Sequence, residues 1–291
     1  MEKKSHRVLI GALCLLVALL SGAVHAEQAL LWRVESAQGV TSHLFGTIHS
    51  EDQRVTDLPR VVEQAFAQAE TVVLEIELAA EAQGKMAQAI MLPPAQQLSD
   101  LVPSELYRDA ISAMAERGYP EAFTARLHPW AVLLTLSMPQ PKTGQFLDKV
   151  LYDRAIEQGK AIQGLESVDE QLAIFRELSL ADQQVLLEQT LQDYQQLPEL
   201  MEAMTRAWLE RDMDQLVALN RENMQGLPEA LRQRFGQRLV EERNHRMAER
   251  ALALLQQQGG VFIAVGAMHL PGEEGLVALL REQDMTLTPV Y

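Results

Sequence analysis

Cysteine is nearly missing from this chain: the only one is Cys14, inside the apolar N-terminal run. Beyond that run no disulfide can form, and no thiolate is available as a nucleophile or metal ligand. Basic residues are also scarce, 25 Lys and Arg against 40 Asp and Glu, for a formal charge of −15. A surface of that sign repels phosphate backbones and anionic lipid, so nucleic acid is excluded as a partner. No Gly-x-Ser-x-Gly elbow and no His-Glu-x-x-His helix occurs, which removes the α/β-hydrolase serine and the ordinary zincin site. Low-complexity linkers and structural repeats are absent too, and after residue 20 no apolar run approaches the roughly 20 residues of a membrane span.

What is present begins with a pattern of export. Lys3, Lys4 and Arg7 precede an apolar stretch from Val8 to Leu20, and Val24 and Ala26 stand at −3 and −1 of a cleavage after Ala26. This is a secretory signal over 1–26, with a mature chain, 27–291, in the periplasm or secreted and with no stable membrane insertion once cleaved. The alternative is an uncleaved N-terminal anchor. The mature length suffices for one large domain with its own core.

Strand and helix signals alternate. Leu30–Val34 and Thr41–Phe45 read as a hairpin, and Thr71–Leu78 and Val261–Val265 as buried strands, with shorter strands at Ala161–Leu165 and Thr286–Tyr291. Between them, Pro59–Ala69, Ser104–Arg117, Gly144–Gln158, Ser179–Gln196, Pro198–Glu222, Leu227–Gln258 and Gly275–Gln283 read as helices. The expected architecture is α/β: a central, mainly parallel sheet with flanking helices and a large helical insertion over about 170–258.

Two Gly-x-x-His motifs end apolar strands: Gly46-Thr47-Ile48-His49 and Gly266-Ala267-Met268-His269. A third copy, Gly22 to His25, falls in the export signal, so the motif alone has little specificity. Placement is what discriminates, because open α/β sheets build sites beyond the carboxyl ends of their strands. There a glycine permits a tight turn or close backbone approach, and a neutral imidazole suits a divalent metal or general-base work. Glu75 and Glu77 end the Thr71 strand and share a face if that strand continues; Glu166 ends the Ala161 strand. Glu75 belongs nearest the core, where a carboxylate needs a partner or a metal. For Glu77 the plain reading is a solvated side chain, and for Glu166 a cap on the next helix. His43 faces away from the site, His128-Pro129-Trp130 terminates a helix, and His245 is solvated.

Trp32-Arg33-Val34, His43 to His49, Val73 to Glu77, Pro129-Trp130, Gly164 to Ser167, Glu242-Arg243-Asn244 and Val265 to Gly272 with Gly275-Leu276 together resemble the TraB/GumN (Tiki-like) family. The resemblance runs in order along nearly the whole mature chain. It implies an erythromycin-esterase/ChaN-like fold and a metal-dependent hydrolase, a peptidase like the animal Tiki proteins, acting on a peptide or protein substrate. It further implies a site made from His49, His269 and the strand-end Glu75 with a divalent ion such as manganese or cobalt, zinc not being resolved from these; Glu166, at the end of its own strand, is a fourth candidate ligand. Glu75 is a ligand or the base, and Arg243 and Asn244 support catalysis. Two alternatives remain from other classes: a non-catalytic exported metal- or haem-binding protein, and an interaction scaffold built on the helical insertion.

Overall fold

The computed structural model describes residues 28–36, 39–257 and 259–291; the export signal expected over 1–26 lies outside them. Six strands form one mixed sheet in the order β4-β3-β5-β2-β1-β6. They are β1 (Leu31–Glu35), β2 (Thr41–Thr47), β3 (Thr71–Leu74), β4 (Ala161–Gly164), β5 (Val261–Gly266) and β6 (Thr286–Pro289). The β4–β3, β3–β5 and β5–β2 pairings are parallel, whereas β1 joins β2 and β6 antiparallel. The hairpin expected from residues 30–45 forms on the antiparallel side of this sheet, and β6 is the edge strand beyond it.

Period-two alternation divides the core. Val72, Phe262 and Ala264 face one side, with Phe66, Leu151 and Trp208. Val73, Ile263 and Val265 face the other, with Met247, Ala251 and Leu280. Strands buried on both faces read as continuous apolar runs, which is why Val261–Val265 is legible as a buried strand in the sequence. A third cluster, including Met114, Trp130, Leu187 and Leu231, lies away from the sheet among the helices and the turns that join them. It begins at Leu98, so the helical elaboration starts well before residue 170.

Several elements depart from expectation for identifiable reasons. β3 stops at Leu74, so Glu75 and Glu77 are not strand neighbours. Pro129 stands in the first turn of the Pro129–Ser137 helix, where its missing N–H costs nothing, so His128-Pro129 begins a helix rather than ending one. The 198–222 stretch breaks at Arg211, left-handed at φ 60°, and Asp212 caps the following helix by accepting from Gln215 N. The 227–258 stretch contains a π-turn over Gln237–Glu241 before the Glu242–Gln257 helix. Among the described residues no helix is long and apolar enough to cross a membrane.

Candidate functional site

β2 and β5 run side by side in parallel, with Gly46 opposite Val265 and Thr47 opposite Gly266. Both Gly-x-x-His motifs therefore leave the sheet at the same edge. Gly46 is required by close approach: a Cβ there would lie 2.7 Å from Leu270 Cδ1 and 3.1 Å from Ala267 Cα. The Gly46 carbonyl also accepts from Trp208 Nε1 at 2.9 Å, which fastens the Leu197–Glu210 helix to the end of β2. After Gly266 the chain turns through Ala267–His269 as a single 3-10 turn, and His269 is buried.

Around His269 the polar groups form one connected network. Its Nδ1 lies 2.6 Å from Asn244 Oδ1, and Asn244 Nδ2 donates to the Glu274 carbonyl at 2.6 Å. With the amide's orientation fixed in this way, Nδ1 carries the proton and Nε2 the lone pair. Nε2 faces Arg243 Nη1 at 3.2 Å and Glu75 Oε1 at 3.7 Å. Burial holds the His269 pKa below that of an ordinary imidazole; Arg243 adds to the effect, while Glu75 and Glu166 oppose it. The ring is therefore neutral at pH 7, and its contact with Glu75 is not an ion pair.

Glu75 continues the sheet's hydrogen bonding with its side chain, its Oε1 accepting from Gly266 N at 2.7 Å. Its Oε2 accepts from Arg243 Nη2 at 2.6 Å and Gln171 Nε2 at 3.1 Å. Burial works against its ionisation, but in the acid range where it titrates the charge of a then-protonated His269 and that of Arg243, with the Gly266 and Arg243 hydrogen bonds, outweigh burial and bring the carboxyl to about 2. Glu166 Oε2 accepts from Arg243 Nε and Nη2 at 2.8 and 2.6 Å, and its Oε1 lies 3.5 Å from Arg246. The helix that follows is capped instead by Ser167 and Glu170 in a reciprocal capping box. Glu77 is exposed.

Arg243 and Asn244 are 6% and 1% exposed, which for adjacent helical residues means that both face inward. The π-turn immediately before them adds a residue to the helical register and sets that orientation, a common placement for such turns near sites. One guanidinium thus bridges two carboxylates in a largely buried setting, with Arg246 beside Glu166 as a second positive charge, and removing any one member leaves charge unpaired.

The fold does not draw His49 into this network by hydrogen bonds. Its ring stacks on Phe146, centroids 4.0 Å apart, and its pKa is lowered by lost hydration against the raising fields of Glu51 and Glu75. Although surface-exposed, it sits in a cleft of about 750 Å³ whose walls are the 138–146 segment and the Leu197–Glu210 helix. His43 is half-buried on β2, with its pKa lowered by burial and then by Arg33. His245 is exposed, 2.6 Å from Glu274.

Sequence reasoning missed Asp148. It accepts from Thr47 Oγ1 at 2.9 Å, and burial together with the Glu75 charge pushes its carboxyl up to about 6. The Thr47 contact spans 101 positions, and an Asp in a helix's first turn looks ordinary in sequence, so no local signal marks it. Among the described residues no three His, Cys, Asp or Glu side chains are grouped as a ready metal cage. The donor chemistry suits a divalent ion at His269 Nε2 and Glu75 Oε1, but such an ion would have to displace Arg243 Nη1 from Nε2.

The mixed α/β sheet with two histidine motifs at one edge defines a class, and comparison with known proteins identifies it. The TraB/PrgY/gumN family matches over residues 30–289, and the chain belongs to that family. It is 27% identical to Metalloprotease TIKI1 of Danio rerio over 88% of this chain and 62% of that protein. It is 26% identical to Metalloprotease TIKI2 of Xenopus tropicalis over 87% of this chain and 58% of the relative. It thus spans about three-fifths of the length of these relatives. The uncharacterized protein YbaP of Shigella flexneri is 25% identical over 82% of this chain and 88% of its own length. No solved structure matches.

Proposed function

We propose that this protein is an exported, metal-dependent hydrolase that cleaves peptide bonds. The observation that carries the proposal is the His269 imidazole, neutral, locked by Asn244 through Nδ1 and presenting Nε2 toward a carboxylate. That is the arrangement by which a protein fixes the tautomer of a metal-ligating histidine. The metalloprotease names of the fish and frog relatives support the same chemistry. In this reading His49, His269 and Glu75 would hold the ion, which when bound would supply an acidified water and a polarised carbonyl. A carboxyl at about 2 is a poor base at pH 7, so Glu75 acts as ligand, and Asp148, at about 6, is the group able to carry a proton. Glu166 holds Arg243, whose Nη1, set free from His269 Nε2 by a bound ion, would offset developing negative charge. The ChaN-like kinship of the fold, the single mature domain 27–291 and delivery to the periplasm or beyond belong to the same proposal.

A second reading, an exported metal- or haem-binding protein without hydrolysis, draws on Arg243 at the His269 lone pair. One experiment separates them. Mature protein stripped with chelator is given manganese, cobalt or zinc and incubated with a peptide mixture. Cleavage that returns with metal and disappears in Asp148→Asn supports the hydrolase. Metal uptake without cleavage supports the binding protein.

A further inference from the structure

The two motif histidines are held very differently. His269 is buried and hydrogen-bonded, whereas among the described residues the His49 ring makes no hydrogen bond, and its close ring contact is Phe146. A ligating imidazole normally gains its orientation from a partner on its second nitrogen. For His49 that task passes to the segment carrying Phe146.

This segment, residues 138–146, bridges the Pro129–Ser137 helix and the Leu147–Glu157 helix and forms one wall of the cleft at His49. Pro139 and Pro141 limit its backbone freedom. Its first end is fixed by Arg117, whose guanidinium donates to the Leu136 and Met138 carbonyls at 2.9 and 2.7 Å and lies over the Tyr194 ring. The other end is fixed by Glu51, two residues beyond His49. Glu51 Oε2 accepts from Lys142 N, Thr143 N and Thr143 Oγ1 at 2.9, 2.7 and 3.0 Å, and Oε1 accepts from Gly144 N at 2.9 Å. Three successive N–H groups converging on one carboxylate form an anion nest, and Gly144 closes it at φ 75°. Leu147 N then donates to the Ser50 carbonyl at 3.2 Å, so the His49 loop and the strap are joined on both sides of Phe146.

We propose that Glu51 is a positioning residue: a latch that bolts the 138–146 strap to the His49 loop, so that Phe146 sets the orientation of the His49 ring and the strap forms a fixed wall of the substrate cleft. This deepens the reading of the site as a metal-dependent hydrolase and rests on it. Four hydrogen bonds to a charged acceptor are strong for a loop of this size, since charge-assisted bonds are about twice as strong as neutral ones. The consequence is local, because the sheet and the His269 network make no use of Glu51.

The test uses the mature chain and its Glu51→Ala, Glu51→Gln and Phe146→Leu variants. Metal-free protein is examined by NMR for the ring-current shift of the His49 imidazole protons, and metal affinity and the kcat and KM for peptide cleavage are then measured. The latch predicts loss of the His49 shift in Glu51→Ala and Phe146→Leu and partial retention in Glu51→Gln, which keeps one acceptor oxygen. Metal affinity should fall about tenfold in the first two, with KM rising in Glu51→Ala as the wall loosens. An unchanged His49 shift in Glu51→Ala overturns the latch, as does a lost shift with wild-type affinity and kinetics. Phe146→Leu decides the question if Glu51→Ala fails to fold. Wild-type protein that takes up no metal overturns the hydrolase reading instead, while the shift still reports on the latch.

Discussion

Asn244 and His269 form a pair in which each fixes the other: the imidazole Nδ1 meets the amide oxygen at 2.6 Å, and the amide nitrogen is committed to the Glu274 carbonyl. The amide cannot flip without breaking both bonds, so the tautomer of His269 is set by a backbone carbonyl thirty positions from Asn244.

Asn244→Ala removes the lock while leaving His269 in place. Metal affinity measured by titration calorimetry should drop by about 10–100-fold. Asn244→Asp, which keeps the acceptor oxygen, should retain most of it. Wild-type affinity in the alanine variant would mean that Nε2 is not a ligand atom.

Glu75→Gln tests the ligand assignment. The glutamine oxygen can keep the Gly266 bond but cannot neutralise Arg243. Metal binding and hydrolysis should weaken together, and stability should fall by about 1–3 kcal/mol for a charge-assisted bond lost in a buried setting. Tight metal binding with abolished turnover would make Glu75 the base.

The two site carboxyls give opposite pH signatures. Glu75 is depressed to about 2, so its contribution to stability is complete above the unfolded carboxyl range and is lost as pH falls toward 2. Asp148 is raised to about 6, so its folded form binds the extra proton and stability declines as pH rises from about 4 through 6. Asp148→Asn should therefore melt higher than wild type at pH 7–8 and no higher at pH 4, while losing hydrolytic activity. Equal melting-temperature differences at both pH values would refute the raised pKa.

Gly46→Ala should cost about 1–3 kcal/mol as an overpacking change, read as a lower melting temperature. Leu270 Cδ1 can swing aside, but the Ala267 backbone at 3.1 Å is held by the 3-10 turn. A neutral effect would show that the two motif loops are loosely apposed.

Much of the scaffold could be read in advance because it rests on local pattern. The β5 run is apolar at every position and carries its histidine three residues beyond its glycine end. The meeting of Glu75 and Glu166 with His269 follows from strands that end at one sheet edge. Arg243 and Asn244 were accessible only through the family resemblance, since on the helical pattern alone an arginine there reads as surface, and the π-turn that rotates both inward has no sequence signature. Asp148 was invisible because its burial depends on Thr47, a contact made only after the sheet has formed. β3 was drawn too long because Ile76 and Leu78 extend its apolar character past Leu74, where the backbone leaves the sheet.

The position of β5 sets a condition on how this chain acquires its site. β5 is the fifth strand in sequence but lies between β3 and β2, and its first N–H reaches Ser42 Oγ across 219 positions. The middle of the sheet therefore stays open until nearly the whole polypeptide is available, and contacts of such separation fold slowly. Until then the unpaired edges of β2 and β3 are exposed to wrong partners. No emerging chain can bring the Gly46 and Gly266 motifs to one sheet edge before β5 has been made, so the hydrolysis proposed above would arise only once that strand is in place.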